Sequence, residues 1–390
     1  MNIHPTPPKA APVWLTKDSG DFEVFRQIVS QQADPAQSPQ AAELVRNIPI
    51  YDGAMVDAAA SDPARRAALT QEWANIFANG AGVIVIHQGL ADHAVIDRAS
   101  AVFEAIIAEE KRTAKGGGDH FAKPGANDRI WNSLEKHCLA DPANFAAYYS
   151  AHGIALAAEA WLGPNSQMTA QVNRVNPGGA AQTPHRDYHL GFMSSAQMAR
   201  YPAHIHAVSP VLTLQGAVAH CDMPIETGPT MLLPFSQQFF EGYLAFSRPE
   251  FQAWFAEHHV QLPLAKGDLV FFNPALMHGA GTNRTTDRYR LVNLLQVSSA
   301  FGRAMETVNR RRMLQALYPV LVSSPGLNVE NVIAASAEGY PFPTNLDSNP
   351  PLGGMAPKTQ ADFLREALAT GQSAADFHAA LDALDAKNQS

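Results

Sequence analysis

The sequence predicts an α+β protein with a mainly β core and flanking N- and C-terminal helices. Residues 168–300 alternate short apolar runs with Gly, Pro, Asn and Asp, the pattern of a β-rich barrel or sandwich. Upstream, residues 61–107 read as helix, strand, helix, and beyond residue 303 helical periodicity returns.

The elements follow in order. Residues 1–20 carry Pro5, Pro7, Pro8 and Pro12 with little periodicity and read as a flexible arm. Ser61-Asp62-Pro63 is a cap followed by a first-turn proline, and it opens a helix with Leu69, Trp73, Ile76 and Phe77 on one face. Gly80 and Gly82 stop it before the buried strand Val83-Ile84-Val85-Ile86. Asp92 caps a second helix, in which Ile96, Ala99, Phe103 and Ile107 keep the 3.6-residue spacing. Gly116-Gly117-Gly118 then reads as a hinge or turn, since no Lys-Ser or Lys-Thr follows in the register of a phosphate loop. Residues 145–162 read as one packing helix, ended by Gly163-Pro164. Met168, Ala170, Val172 and Val175 form a strand that carries Gln171 and Asn173 between them and ends at the turn Pro177-Gly178-Gly179.

Composition bounds the function. At 390 residues the chain is long enough for a single elaborated barrel, and 46% hydrophobic residues are ample for a large core. Charged residues are only 16% and the net charge is −8, so no basic surface exists for nucleic acid or an anionic membrane. Cys138 and Cys221 alone make no disulfide framework and fit a reducing cytoplasm. No signal core or long apolar span occurs, and the oligomeric state stays open.

Chemistry concentrates in Thr183-Pro184-His185-Arg186-Asp187-Tyr188-His189 and, far downstream, Pro274-Ala275-Leu276-Met277-His278-Gly279. In an extended chain residues i and i+2 share a face, so His185 and Asp187 can offer an imidazole and a carboxylate to one point. His-x-Asp also arises by chance in a chain with 15 histidines. The second histidine raises its meaning. Lys266-Gly267-Asp268 is a turn and Leu269-Val270-Phe271-Phe272-Asn273 a short apolar strand, so His278 sits near flexible backbone close to a strand end. Two histidines and one carboxylate make a facial triad that leaves three positions open on non-haem iron(II).

These motifs resemble the phytanoyl-CoA dioxygenase family of iron(II)- and 2-oxoglutarate-dependent oxygenases. Residues 267–283 are similar to its Gly-Asp-hydrophobic run ending in His-Gly-Ser-Gly-x-Asn, with Ala280 in place of serine. Residues 215–222, Glu226-Thr227-Gly228-Pro229-Thr230 and Leu233-Pro234-Phe235-Ser236 resemble the intervening segment, with Thr227 for an asparagine and Phe235 for a glycine. The match covers roughly residues 70–300. It implies a double-stranded β-helix (jelly roll) with His185, Asp187 and His278 as metal ligands at its open end. It also implies iron(II), 2-oxoglutarate and O2 as cofactor and co-substrates, a small-molecule substrate, and release of succinate and CO2. Residues 21–320 would form the catalytic domain, and residues 321–390 a C-terminal wrapping segment with short helices.

A cation must hold the far carboxylate of 2-oxoglutarate, and the planar fork of arginine suits that role. The family places it about eleven residues beyond the second histidine; here Tyr289 occupies that position, and a one-residue insertion in 283–287 brings in Arg290. Arg288 is the fallback and Arg284 a turn residue in solvent. Gln171, Asn173 and Thr230 are further candidate contacts, each equally able to satisfy a strand edge. The connection from His185 to Val211 holds Tyr188, His189, Phe192, Met193, Met198, Tyr201, His204 and His206. It reads either as a lid over a moderately apolar substrate with a polar handle, or as a packed helix.

After the barrel, residues 303–317 read as a basic helix ended by Pro319, residues 323–357 as an extended segment, and Thr359 and Ser373 as openings of two helices. Hydroxylation is the default outcome. Two other readings stay open: a cupin-like metal-dependent isomerase or hydrolase, and a non-catalytic protein that binds metal or a 2-oxo acid on the same barrel.

Overall fold

The computed structural model describes residues 12–113, 125–187, 189 and 193–389, so Gly116-Gly117-Gly118, Tyr188 and Phe192 lie outside the described residues. Its strands are β1 (Glu43–Val45), β2 (Ile48–Asp52), β3 (Val83–His87), β4 (Asn127–Ile130), β5 (Gln167–Val175), β6 (Thr213–Ala219), β7 (Met231–Leu233), β8 (Leu269–Phe272), β9 (Met277–Gly279) and β10 (Arg290–Ser298). Eight of them form one mixed sheet in the order β1-β2-β3-β8-β6-β10-β5-β4, and β7 and β9 pair separately. Among the described residues only β2 and β3 run parallel; the other pairs are antiparallel.

Alternation along the strands gives the sheet two different faces. Met168, Ala170 and Val172 of β5, Leu214 and Val218 of β6, Leu269 and Phe271 of β8, and Leu291, Leu295 and Val297 of β10 point back into the largest apolar cluster. Their neighbours Gln171, Asn173, Gln215, Ala217, Val270, Phe272, Arg290, Val292, Leu294 and Gln296 line a front cavity. The back face is covered by helices, so the core is shared between sheet and helices rather than mainly β.

The entry is as expected. Asp62 accepts hydrogen bonds from Ala64 N and Arg65 N, Pro63 occupies the first turn, and Leu69, Trp73, Ile76 and Phe77 of the helix Pro63–Asn79 are buried. Ile96, Ala99, Phe103 and Ile107 are buried on the helix His93–Thr113.

Three boundaries differ from expectation. Residues 145–162 are two helices, Pro142–Tyr149 and His152–Leu162, because Ala151 leaves the helical region with ψ 130°. The basic helix starts later, capped by Asn309, and runs as Arg310–Ser323 straight through Pro319. A proline leaves the carbonyl four residues earlier without its N–H, and here His378 Nε2 lies 3.2 Å from Gln315 O and takes that place. The stretch expected to be extended contains the helix Val329–Ser336.

The C-terminal helices Gln360–Thr370 and Ala374–Asn388 bury Leu364, Phe377 and Leu381 in the same rear cluster. They complete the helical layer behind the sheet. The full capping box falls at Thr359 and Asp362, while Ser373 Oγ accepts from Asp376 N at 3.1 Å. At the other end Leu15 is buried and Val13 O accepts from Ala203 N at 2.7 Å, so this stretch rests on the connection that follows Asp187. No helix among the described residues is long and apolar enough to cross a membrane.

Candidate metal centre

His185 and Asp187 lie on a short extended segment pinned to β9 and the loop before it. His185 N donates to His278 O at 2.8 Å, His278 N returns the bond to His185 O at 2.9 Å, and Asp187 N donates to Pro274 O at 2.9 Å. The i, i+2 alternation then turns both side chains one way and Arg186 the other. The nearest ligand atoms of His185, Asp187 and His278 all lie within 4.8 Å of one another. His185 Nε2 is 3.8 Å from Asp187 Oδ1, and His278 Nε2 is 3.7 Å from Asp187 Oδ2.

Hydrogen bonding fixes the tautomers. His185 Nδ1 is 2.9 Å from Thr183 O and His278 Nδ1 is 2.8 Å from Leu276 O. A carbonyl only accepts, so each Nδ1 carries the proton and each Nε2 presents its lone pair to the common point. Burial, and then the neighbouring His185, hold His278 well below the usual imidazole range, so it is neutral as a ligand must be. Gln215 Nε2 donates to Asp187 Oδ2.

Arg186 anchors the ligand segment from behind. Its buried guanidinium donates to Ala275 O, to Phe239 O at 2.8 Å and to Gln237 O at 3.1 Å, and lies over the Tyr243 ring. Gly242 is required there, because a Cβ would collide with Arg186 Nη1. Asp268, 1% exposed, ties the turn before β8 to β3 through His87 Nδ1 at 3.0 Å and Gln88 N at 2.9 Å. Asn283 donates to Arg288 O at 2.8 Å and accepts from Thr285 N at 3.1 Å, setting the turn that leads into β10. Phe235, where the family pattern has glycine, keeps the left-handed backbone at φ 69° with its ring buried.

The ligand cluster opens into a cavity of about 540 Å³. Arg290 opens β10 at 4% exposure, with Nη1 donating to Thr227 O at 2.8 Å and to Gly228 O. Burial pushes its pKa down to about 10, which leaves it charged at neutral pH. Among the described residues no ion pair engages Arg290. Gln171, Asn173 and Thr230 line the same cavity. Arg288 does not: β10 begins only at Arg290, so strand alternation does not reach back to it, and it sits exposed on the preceding turn with Arg284. Met193 and Met198 reach the cavity from the connection after Asp187, which contains the short helices Ser195–Met198 and Ala203–Val208. His189 and His206 are occupied elsewhere, near Thr213 Oγ1 at 3.0 Å and Tyr201 O at 3.2 Å.

A model of the family described as Phytanoyl-CoA dioxygenase (PhyH) matches residues 51–292. The chain belongs to the phytanoyl-CoA dioxygenase family. Iron(II) and 2-oxoglutarate fit both that membership and the His-Asp-His donor set. Several solved structures are similar to this family member over part of its length. They include the non-heme alpha ketoglutarate dependent epimerase SnoN from nogalamycin biosynthesis, 20% identical over 60% of this chain and 82% of that one, with a TM-score of 0.40. SnoN in complex with Fe3+, alpha ketoglutarate and nogalamycin RO is 20% identical over 60% and 85%, with a TM-score of 0.39. The non-heme alpha ketoglutarate dependent carbocyclase SnoK is 17% identical over 63% and 90%, with a TM-score of 0.44. No curated protein matches the chain.

One residue of this phytanoyl-CoA dioxygenase family member escapes sequence reasoning, and another shows there only within a polar cluster that reads equally as surface. Gln215 holds Asp187, and its only signal is a glutamine at a front-face position of an otherwise apolar strand. Arg129, buried over the Trp131 ring with Nη1 3.3 Å from Gln171 Oε1, stands on the short edge strand β4, which the sequence marks only by the polar and aromatic run Arg129-Ile130-Trp131-Asn132.

Proposed function

We propose that this protein is a non-haem iron(II)- and 2-oxoglutarate-dependent oxygenase that hydroxylates a small organic molecule and releases succinate and CO2. The observation that carries the reading is the pairing, in one cavity, of the His185–Asp187–His278 cluster with the buried guanidinium of Arg290, which has no carboxylate partner among the described residues. A buried charge demands an opposite charge, and a dicarboxylate co-substrate supplies one.

In this reading His185 and His278 bind the metal through Nε2 and Asp187 through one oxygen, while Gln215 holds the other. Arg290 grips the far carboxylate of the co-substrate, with Thr230, Asn173 and Gln171 as further contacts. The iron and 2-oxoglutarate, when bound, supply activation of dioxygen and oxidation of a C–H bond. The chain fixes the two imidazole tautomers, keeps the carboxylate in one orientation and shields the site beneath Met193 and Met198. We read the front of the large sheet and the β7–β9 pair as the two walls of a double-stranded β-helix, joined where His185 pairs with His278.

The test is anaerobic addition of iron(II) and 2-oxoglutarate, followed by oxygen. A weak visible charge-transfer band and then oxygen-dependent succinate support the oxygenase. Activity of an Arg290→Ala variant without 2-oxoglutarate would instead mark a cupin-like isomerase or hydrolase, and a band without succinate a binding protein.

A further inference from the structure

We propose that Gln215 and Gln296 form an acceptor subsite beside the metal centre, and that the primary substrate carries an O–H or N–H donor next to the carbon it presents to the metal. The proposal rests on reading the His185–Asp187–His278 cluster as that centre.

Gln215 on β6 and Gln296 on β10 stand directly opposite each other on the cavity face of the sheet. Gln215 Nε2 donates to Asp187 Oδ2. A carboxylate has no hydrogen to give, so the amide cannot turn over and Oε1 is its free end. Oε1 of Gln215 and Oε1 of Gln296 are both buried, and among the described residues neither has a donor. Buried carbonyls without donors are rare in folded proteins, and such a pair points to a partner that the chain itself does not supply.

The outer cross-strand neighbours of the pair do not satisfy them. The other neighbour of Gln215 across the sheet is Phe272, which has no side-chain donor. On the far side of Gln296 stands Thr169, whose hydroxyl is committed to the main-chain carbonyl of Gln296 at 2.9 Å. Nor can the co-substrate: 2-oxoglutarate at neutral pH offers acceptors only. A donor on the primary substrate fills that need, with an ordered water as its competitor. Met193, Met198, Leu294 and Phe272 line the same cavity and suit an apolar body. The chemical class is an alcohol, amine or amide whose polar group lies beside the oxidised carbon and whose remainder is apolar.

The test uses the full chain loaded anaerobically with Mn(II) and 2-oxoglutarate. Metal binding is followed by water-proton relaxation, and probe binding by paramagnetic relaxation of the probe's protons. The probes are apolar alcohols and primary amides, each matched with its O-methyl ether or N,N-dimethyl amide. Donor-bearing probes should relax roughly tenfold more strongly than their methylated twins, about the worth of one buried hydrogen bond. Gln296→Met should reduce the preference severalfold while still binding Mn(II), which shows that the site is folded, and Gln296→Glu, which keeps an acceptor, should retain it. Equal relaxation of the twins, no relaxation by any donor-bearing probe, or a preference undiminished in Gln296→Met would overturn the subsite. Failure of the wild-type chain to bind Mn(II) would instead overturn the metal reading, and the subsite with it.

Discussion

His185 and His278 exchange both of their main-chain hydrogen bonds, at 2.8 and 2.9 Å, and their ring centroids stand 4.6 Å apart. Two candidate ligands remote in sequence are thus set opposite each other by backbone pairing alone. Replacing either imbalances the donor set without breaking that pairing. His185→Ala and His278→Ala should each weaken iron(II) binding by about 100-fold or more with an unchanged far-ultraviolet circular dichroism spectrum. A wild-type affinity in either variant would remove that residue from the site.

Arg290 lines the cavity and Arg288 is exposed outside it, which separates the two candidates for holding 2-oxoglutarate. Arg290→Ala should raise the dissociation constant for 2-oxoglutarate on the order of 100-fold, through loss of charge-assisted bonds to the far carboxylate. Arg290→Lys should recover only part of this, since an ammonium lacks the planar fork. Arg288→Ala, exposed and outside the cavity, should bind normally by anaerobic titration.

Arg186 and Gly242 act as one unit. Arg186→Met leaves the carbonyls of Ala275, Phe239 and Gln237 without their donor and should cost roughly 2–4 kcal/mol in urea unfolding. Gly242→Ala drives a Cβ into the same guanidinium and should cost a similar amount. The double variant should lose clearly less than the two single losses together, because both break the same contacts.

Acid should destabilise the fold through two buried histidines behind the sheet. His220 Nδ1 is 2.8 Å from Ser100 Oγ and its Nε2 is 2.9 Å from Tyr148 OH, while His137 Nε2 is 2.8 Å from Asn144 Oδ1. Burial foremost pushes His220 down to about 3 and His137 down to about 4. Their folded pKa values lie below the unfolded value of about 6.5, so the unfolded chain takes up protons first. The stability is therefore present above about pH 6.5 and is lost as pH falls towards 4 and 3, at most by roughly 1.4 kcal/mol per pH unit for each histidine. Urea midpoints between neutral pH and about pH 4.5 check this, and His220→Gln should flatten the slope.

The parts of the site legible in the sequence are those that local geometry sets. The i, i+2 spacing of His185 and Asp187 and the Gly267-Asp268 turn ahead of β8 follow from short-range pattern, whereas Arg290 is reached only through the spacing that the family resemblance implies. Gln215 was not legible, because its meaning comes from Asp187, which a non-local approach brings within reach. The helix through Pro319 was hidden in the same way, since the carbonyl it releases is matched by His378 from the last helix. Periodicity marked the last two helices but not Val329–Ser336, and could not say that they close the back of the sheet, and so the β share of the core was overstated.

Anaerobic equilibrium dialysis of iron(II) against the wild-type chain and Asp187→Ala tests the central claim most directly. The account predicts equimolar metal on the wild-type chain and loss of it on replacement of that carboxylate. Absence of bound metal in the wild type, or equal binding by both proteins, would contradict it.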